Sequence, residues 1–401
     1  MTRFKKPNLL ILILTAIVLG ILTGQWFGEG IARIFVTFNS IFSNFLGFCI
    51  PLIIMGFVAP AIADLGRRAG KMLLATVALA YGVTLIAGLL SYFISDTFFP
   101  TMLASEEAAE ALEETSALSP YFTINMAPLL DIMSALVFSF LIGVGISRLK
   151  KEDSILKKGV MEFREIVSML ISKVIVPLLP LYIYGIFLKM TVTGEVNSVL
   201  SAFYKIILVI FLMHLLWLGL LYTVGSAFSR KEKNPLKLLK TMLPAYFTAL
   251  GTSSSAATIP VTLEQTRKMG VGEDVAGFTV PLCATINLSG SALKIVSCAV
   301  ALMLLQGMPY DIGMFAYFSA MLGIALVAAP GVPGGSIMAA IGILTSILGF
   351  TDTDCALMIA LYIAMDSFGT ACNVTGDGAI ALIIDRLFGK QTRAMEPSST
   401  F

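Results

Sequence analysis

The chain has 401 residues, 57% of them hydrophobic and 13% charged, with a mean hydropathy of +0.90. No soluble globule needs that much apolar surface, and apolar runs of 18 residues or more recur, so the composition points to an all-α polytopic membrane protein. A formal net charge of +2 says little about partners, and no nucleic-acid partner is expected. The five cysteines (Cys49, Cys283, Cys298, Cys355 and Cys372) are scattered through apolar segments without a CxxC pair and read as small buried hydrophobes. His214, the single histidine, lies in an apolar run and reads as structural.

In chain order, Arg3, Lys5 and Lys6 precede an apolar run from Leu9 to Phe27. It is long and a second run follows closely, so it reads as a span rather than a cleaved signal peptide. Further spans are expected at Phe38–Ile62, Met72–Ile94, Met126–Ile146, Ile166–Leu188 and Phe203–Phe228. The acidic stretch Ser105–Glu114 reads as a solvated loop. Lys173 and Asp131, near apolar runs, read as structural or interfacial.

Basic residues gather at every second junction: Arg3 to Lys6, Arg67 to Lys71, Arg148 to Arg164, Arg230 to Lys240, Arg267 with Lys268, and Arg386 to Arg393. The positive-inside rule then puts both termini in the cytoplasm and the acidic loop outside. For this alternation to hold, segments 236–266 and 312–350 must each enter and leave on one side. They are expected as re-entrant hairpins, one from each face.

The middle of the first segment is Gly251-Thr-Ser-Ser-Ser-Ala-Ala-Thr-Ile-Pro260 and that of the second is Ala328-Ala-Pro-Gly-Val-Pro-Gly-Gly335. Neither continues as a helix through its centre, because Pro lacks a donor and Gly is conformationally loose. Each is followed by an apolar span containing Asn-x-(Ser/Thr)-Gly, at Asn287–Gly290 and Asn373–Gly376, where a helix break is expected. Both lie within apolar runs, which discounts them as glycosylation sequons. Two copies of a hairpin followed by a broken helix suggest an inverted repeat, which secondary transporters use to build a midplane site. In the last span, Asp366, Thr370, Asn373 and Asp377 fall at offsets 0, 4, 7 and 11, one face of a helix. Ionisable groups at such depth are costly and mark a partner, an ion or a water-filled cavity.

These residues carry a resemblance. The serine-rich Ser253–Pro260, Val280-Pro-Leu-Cys-Ala-Thr-Ile-Asn287, Gly331-Val-Pro-Gly-Gly335 and Asn373-Val-Thr-Gly-Asp377 resemble the dicarboxylate/amino acid:cation symporter family over nearly the whole chain. The resemblance implies eight transmembrane helices plus two re-entrant hairpins, and a homotrimer working as an elevator in the cell's inner (plasma) membrane lipid. Residues 1–71 and 126–200 would form the scaffold, residues 72–95 and 201–390 the transport domain, residues 96–125 an extracellular acidic loop, and residues 391–401 a cytoplasmic tail. The second hairpin would be the extracellular gate.

The resemblance also implies roles. Asp366 takes the substrate ammonium, beside Gly369 and Thr370. Asn373 takes the α-carboxylate, with Ser291 and backbone N–H groups near Ser254, Ser255 and Gly331. One sodium site uses Asp377, Asn373, Asn287 and the Cys283 carbonyl. A second uses Thr285 with carbonyls near Leu326, Val327 and Ala329, and a third draws on Tyr81, Thr84 and Asn287.

Three departures from the family pattern shape the reading. Acidic-substrate members carry an arginine where this chain has Gly369 or, in the first hairpin, Ser253. Without either, a second substrate carboxylate would be buried unpaired at a cost of several kcal/mol. Gly369 is expected to leave space for a substrate side chain. A neutral L-amino acid such as serine, threonine or alanine is therefore expected, with an acidic amino acid or C4-dicarboxylate as the alternative. Second, the acidic ligand of the third sodium site is replaced by Ser289, which weakens that site. Third, Lys294 lies in the same span, and its ammonium is expected to replace one coupling cation near the vacated acidic position, or else to snorkel. Sodium is the expected coupling ion, with a proton as the alternative. An intramembrane hydrolase using Ser253–Ser255 lacks a base, so no enzyme is expected. A pure channel does not need the full cation and zwitterion stripe.

Overall fold

A computed structural model of the protein describes residues 9–67, 71–103, 118–130, 132–149, 154–194, 196–327, 329 and 334–393. Among these residues every regular element is helical. The basic N-terminal cluster, the acidic stretch, Asp131 and Gly331 lie outside them.

The first group of helices is α1 (Leu9–Gly24), α2 (Glu29–Arg67), α3 (Lys71–Leu103) and α4 (Ile132–Arg148). Then come α5 (Ile155–Leu170) and α6 (Val176–Val192), joined by a π turn over Ile171–Ile175, and α7 (Val196–Phe228). α3 runs on to Leu103, past the boundary expected at Ile94. Two helix pairs follow: α8 (Pro235–Thr252) with α9 (Ser255–Lys268), and later α12 (Ile312–Val327) with α13 (Gly335–Leu348). Each precedes a two-part helix: α10 (Glu273–Ile286) with α11 (Ser289–Leu305), and α14 (Asp352–Ala364) with α15 (Asp366–Arg393).

By length and composition, six helical stretches can cross a membrane: Glu29–Pro60, Lys71–Leu103, Ile155–Val192, Leu200–Phe228, Glu273–Leu305 and Asp366–Gly389. Shorter apolar helices accompany them, among them Ile11–Gly24, Val137–Arg148 and the two helices of the second pair.

Local chemistry explains the boundaries. Asn234 caps α8, its side chain accepting from the amides of Leu236 and Lys237, and Pro235 takes the first helical position, where no N–H is needed. α8 ends where Ser253 adopts a left-handed conformation (φ 50°), and Ser254 at once caps α9 by accepting from Ala257. Thr351 and Asp354 form a reciprocal capping box at the start of α14.

The helices gather around two apolar clusters. One includes Phe42, Ile53, Ile175, Phe187, Ile210, Val300, Phe315, Ile341 and Ile359. The other includes Ala80, Tyr222, Met242, Cys283, Leu293 and Ile380. α11 is buried along its length from Ser289 to Met303, which makes it the central helix although it carries a lysine. α3 holds it through the Ser91 hydroxyl, which donates to the Leu293 carbonyl, and through the Ser95–Ser297 hydroxyl pair.

On the other side, α1 meets α6 through the Thr23 and Tyr184 hydroxyls. The Ser43 hydroxyl of α2 lies 2.9 Å from that of Tyr182 in α6, which in turn donates to the Asp352 carbonyl at the start of α14. A cavity of about 330 Å³ adjoins this corner, with Leu46, Ile50, Ile341 and Ile359 among its walls. At the opposite end, Arg230, just beyond the end of α7, pairs with Asp385 of α15, which also accepts the Gly272 amide.

The two expected helix breaks come out differently. Asn287 and Leu288 do separate α10 from α11. The break expected at Asn373–Gly376 does not occur: α15 is continuous from Asp366, and the interruption lies at Met365 (φ −112°, ψ 10°). Glycine lowers helix propensity by about 1 kcal/mol, which packing overrides. Gly376 is held between the Asn287 amide and Leu221. Breaking at Met365 puts Asp366 in the first turn of α15, where a carboxylate meets the positive end of the helix.

Candidate functional site

Because α15 is helical from Asp366 onward, the expected stripe exists. Asp366, Thr370, Asn373 and Asp377 are all buried, with Asp377 only 1% exposed. Facing them is the break between α10 and α11. The Asn287 amide donates to Asp377 (2.9 Å) and to the Asn373 carbonyl (3.2 Å). The Asn373 side chain accepts from the Gly290 amide (2.7 Å) and donates to Ser291 (3.2 Å), whose hydroxyl meets that of Tyr362 (3.1 Å). A Cβ at Gly290 would stand 2.7 Å from the Gly369 carbonyl oxygen and 2.8 Å from the Cys372 Cβ, so only glycine allows the start of α11 to lie this close to α15. His214 of α7 holds the same turn, its Nε2 3.0 Å from the Gly290 carbonyl.

At the lower end of the stripe the polar groups are under-satisfied. Among the described residues no cation lies within ion-pair distance of Asp377. Among the described residues, the buried oxygens Asn287 Oδ1 and Ser289 Oγ have no hydrogen-bond partner. A buried carboxylate beside orphaned neutral oxygens is costly unless a cation joins it. The donors are all oxygen, and among the described residues no three carboxylates, thiols or imidazoles gather. One carboxylate with amide, hydroxyl and carbonyl oxygens fits a hard monovalent cation.

At the upper end the reverse holds. Lys294 is wholly buried, its Nζ 3.3 Å from Asp366 Oδ1, 3.4 Å from the Met365 carbonyl and 3.5 Å from the centre of the Tyr362 ring. The other carboxylate oxygen of Asp366 accepts from the Gly334 amide at the start of α13 (3.1 Å). Two expectations are thereby corrected. The space beside Gly369 is not free: a Cβ there would lie 2.5 Å from Lys294 Cε and 2.6 Å from Nζ. Nor does the ammonium go to the vacated acidic position at Ser289. Lys294 lies five residues beyond Ser289 on α11, a different face of the helix, and its side chain runs to Asp366.

The remaining expected residues divide. Ser253 ties the turn between α8 and α9 to α15 through the Ser367 hydroxyl (2.7 Å); Ser254 and Ser255 are half-buried next to it. The Cys283 carbonyl accepts the Asn287 backbone N–H (2.8 Å). Tyr81 donates to Ala320 and Thr84 to Ala80, so both hydroxyls have partners within the helices. Thr285 is exposed and bonds to Leu282, while the Leu326 carbonyl accepts from Ala329, next to half-buried Val327. No hydrogen bond among the described residues links Thr285 to Leu326, Val327 or Ala329.

Residues 9–387 match the sodium:dicarboxylate symporter family. The chain belongs to that family. Excitatory amino acid transporter 1 of Rattus norvegicus is 30% identical over 262 residues, covering 64% of this chain and 47% of that protein. The excitatory amino acid transporter of Caenorhabditis elegans is 27% identical over 264 residues, 64% of this chain and 50% of its own. The matched part of the chain thus spans about half the length of these curated relatives.

Two further residues, Tyr362 and His214, belong to the site. Tyr362 lies four residues before Asp366 and forms the floor under Lys294, a spacing that could have marked it. His214 is structural, as expected, and what it supports is the Gly290 turn of the site itself.

Proposed function

We propose that the protein is a secondary active symporter that couples inward sodium flow to uptake of a small solute bearing a carboxylate. The observation that carries this reading is Asp377: a buried carboxylate without a cationic partner among the described residues, beside the orphaned Asn287 and Ser289 oxygens. Sodium there would neutralise Asp377 and satisfy those oxygens. The neighbouring Asn373 amide and the backbone N–H groups at the α8–α9 turn would receive the solute carboxylate. With Ser289 in place of an acid, a third sodium site is weakened.

The rest of the proposal follows the family pattern. The pairs α8–α9 and α12–α13 enter and leave on one face each, and α3 with α7–α15 moves as an elevator against α1, α2 and α4–α6 within a homotrimer, both termini cytoplasmic. A neutral amino acid is supported by the absence of arginine at Gly369 and Ser253. An acidic amino acid or dicarboxylate is the second reading, favoured by the Lys294 ammonium beside Gly369.

The test is uptake of labelled amino acids and dicarboxylates by purified protein in liposomes, with an inward sodium gradient or with choline. Accumulation of a panel member only with sodium, abolished in Asp377→Asn, is the expected outcome. Equal uptake in choline would overturn the coupling.

A further inference from the structure

In the structure the carboxylate of Asp366 is already occupied. Its two oxygens accept from the Lys294 ammonium and the Gly334 amide, and the Tyr362 ring lies against the same ammonium. Lys294 is held on several sides: its stem fills the hollow of Gly369, its Nζ also meets the Met365 carbonyl, and none of it reaches solvent. A solute ammonium arriving at Asp366 would share one negative charge with a second, immovable positive one. In a low-dielectric interior such like-charge crowding is strongly unfavourable.

We infer that Lys294 is a specificity-determining residue that stands permanently in the place of a solute ammonium, so that the solute recognised here is a small carboxylate without an α-amino group. A short hydroxy acid or a dicarboxylate meets that description; the corresponding amino acid does not. The inference rests on the symporter reading and, within it, sets a carboxylate without an amino group against the neutral amino acid that the missing arginines favour. The carboxylate of such a solute is received by the Asn373 amide and the Ser291 hydroxyl, while the pair Lys294–Asp366 stays electrically neutral and unbroken.

The experiment compares matched pairs that differ only in the amino group: L-lactate against L-alanine and L-malate against L-aspartate, with binding to the purified full chain followed by thermal stabilisation in sodium. In wild-type protein the hydroxy acid is expected to bind at least tenfold more tightly than its amino partner in at least one pair. Lys294→Met, similar in volume and uncharged, is expected to lower that ratio at least tenfold. Tighter binding of the amino acid in both wild-type pairs overturns the inference, and this arm needs no variant to fold. An unchanged ratio in a folded Lys294→Met also overturns it. If no pair member binds, the symporter reading fails and the inference with it. If binding occurs equally without sodium, only the coupling fails, and the ratio still decides.

Discussion

The two helix breaks of the repeated half are chemical opposites. At the break between α10 and α11, Asn287 and Ser289 keep oxygens without partners, and Asp377 has no cationic partner, among the described residues. At the break between α14 and α15, Asp366 is saturated by an ammonium from a neighbouring helix and an amide from α13. One break leaves polar groups unpaired, whereas the other is completed from within. The difference is set by side chains delivered from outside each break, since both interruptions lack proline and glycine at the broken residues themselves.

The largest effect that would sharpen this contrast is expected at the break between α10 and α11. Asp377→Asn should remove sodium-dependent thermal stabilisation, a loss of about 3 kcal/mol, because the cation would then meet only neutral oxygens. Retained sodium dependence would place the ion elsewhere. The next effects come from the glycines at the contact between the breaks. Gly290→Ala drives a Cβ against the Gly369 carbonyl, which the helix holds in place, and should cost about 1–3 kcal/mol of stability. Gly369→Ala meets the end of the Lys294 side chain instead. Its cost, about 1–2 kcal/mol, should be relieved in a Lys294→Ala background, where that of Gly290→Ala is not; denaturation of the four variants in detergent decides. The smallest effect is expected at the α8–α9 turn. Ser253→Ala loses the Ser367 hydroxyl bond and should destabilise by about 1 kcal/mol, with Ser253→Gly partly compensating because glycine accepts the left-handed backbone.

Much of this was legible in the sequence for reasons of period and punctuation. The stripe from Asp366 to Asp377 was readable because an unbroken helix turns offsets of 4, 7 and 11 into one face. The pairs α8–α9 and α12–α13 were readable from Ser, Gly and Pro in the middle of apolar runs. The break at Met365 was not, because an Ala-Met-Asp step bears no breaking residue; what stabilises it is Asp366 at a helix start, gripped from α11 and α13. The destination of Lys294 was equally hidden. It depends on how closely α11 approaches α15, and that distance is set by two glycines 79 positions apart, Gly290 and Gly369, each of which reads alone as mere flexibility.

The hydroxyl chain from Ser43 through Tyr182 to the Asp352 carbonyl crosses the seam between α2 and α6 on one side and α14 on the other. Beside it the seam is lined by Leu46, Ile50, Ile341 and Ile359, whose contacts are non-directional and reform continuously as surfaces slide. In the proposed motion such walls act as a bearing, and the Tyr182 bond acts as a detent. Breaking it costs a net of roughly 1 kcal/mol, enough to define a resting position and small beside the barriers that limit turnover.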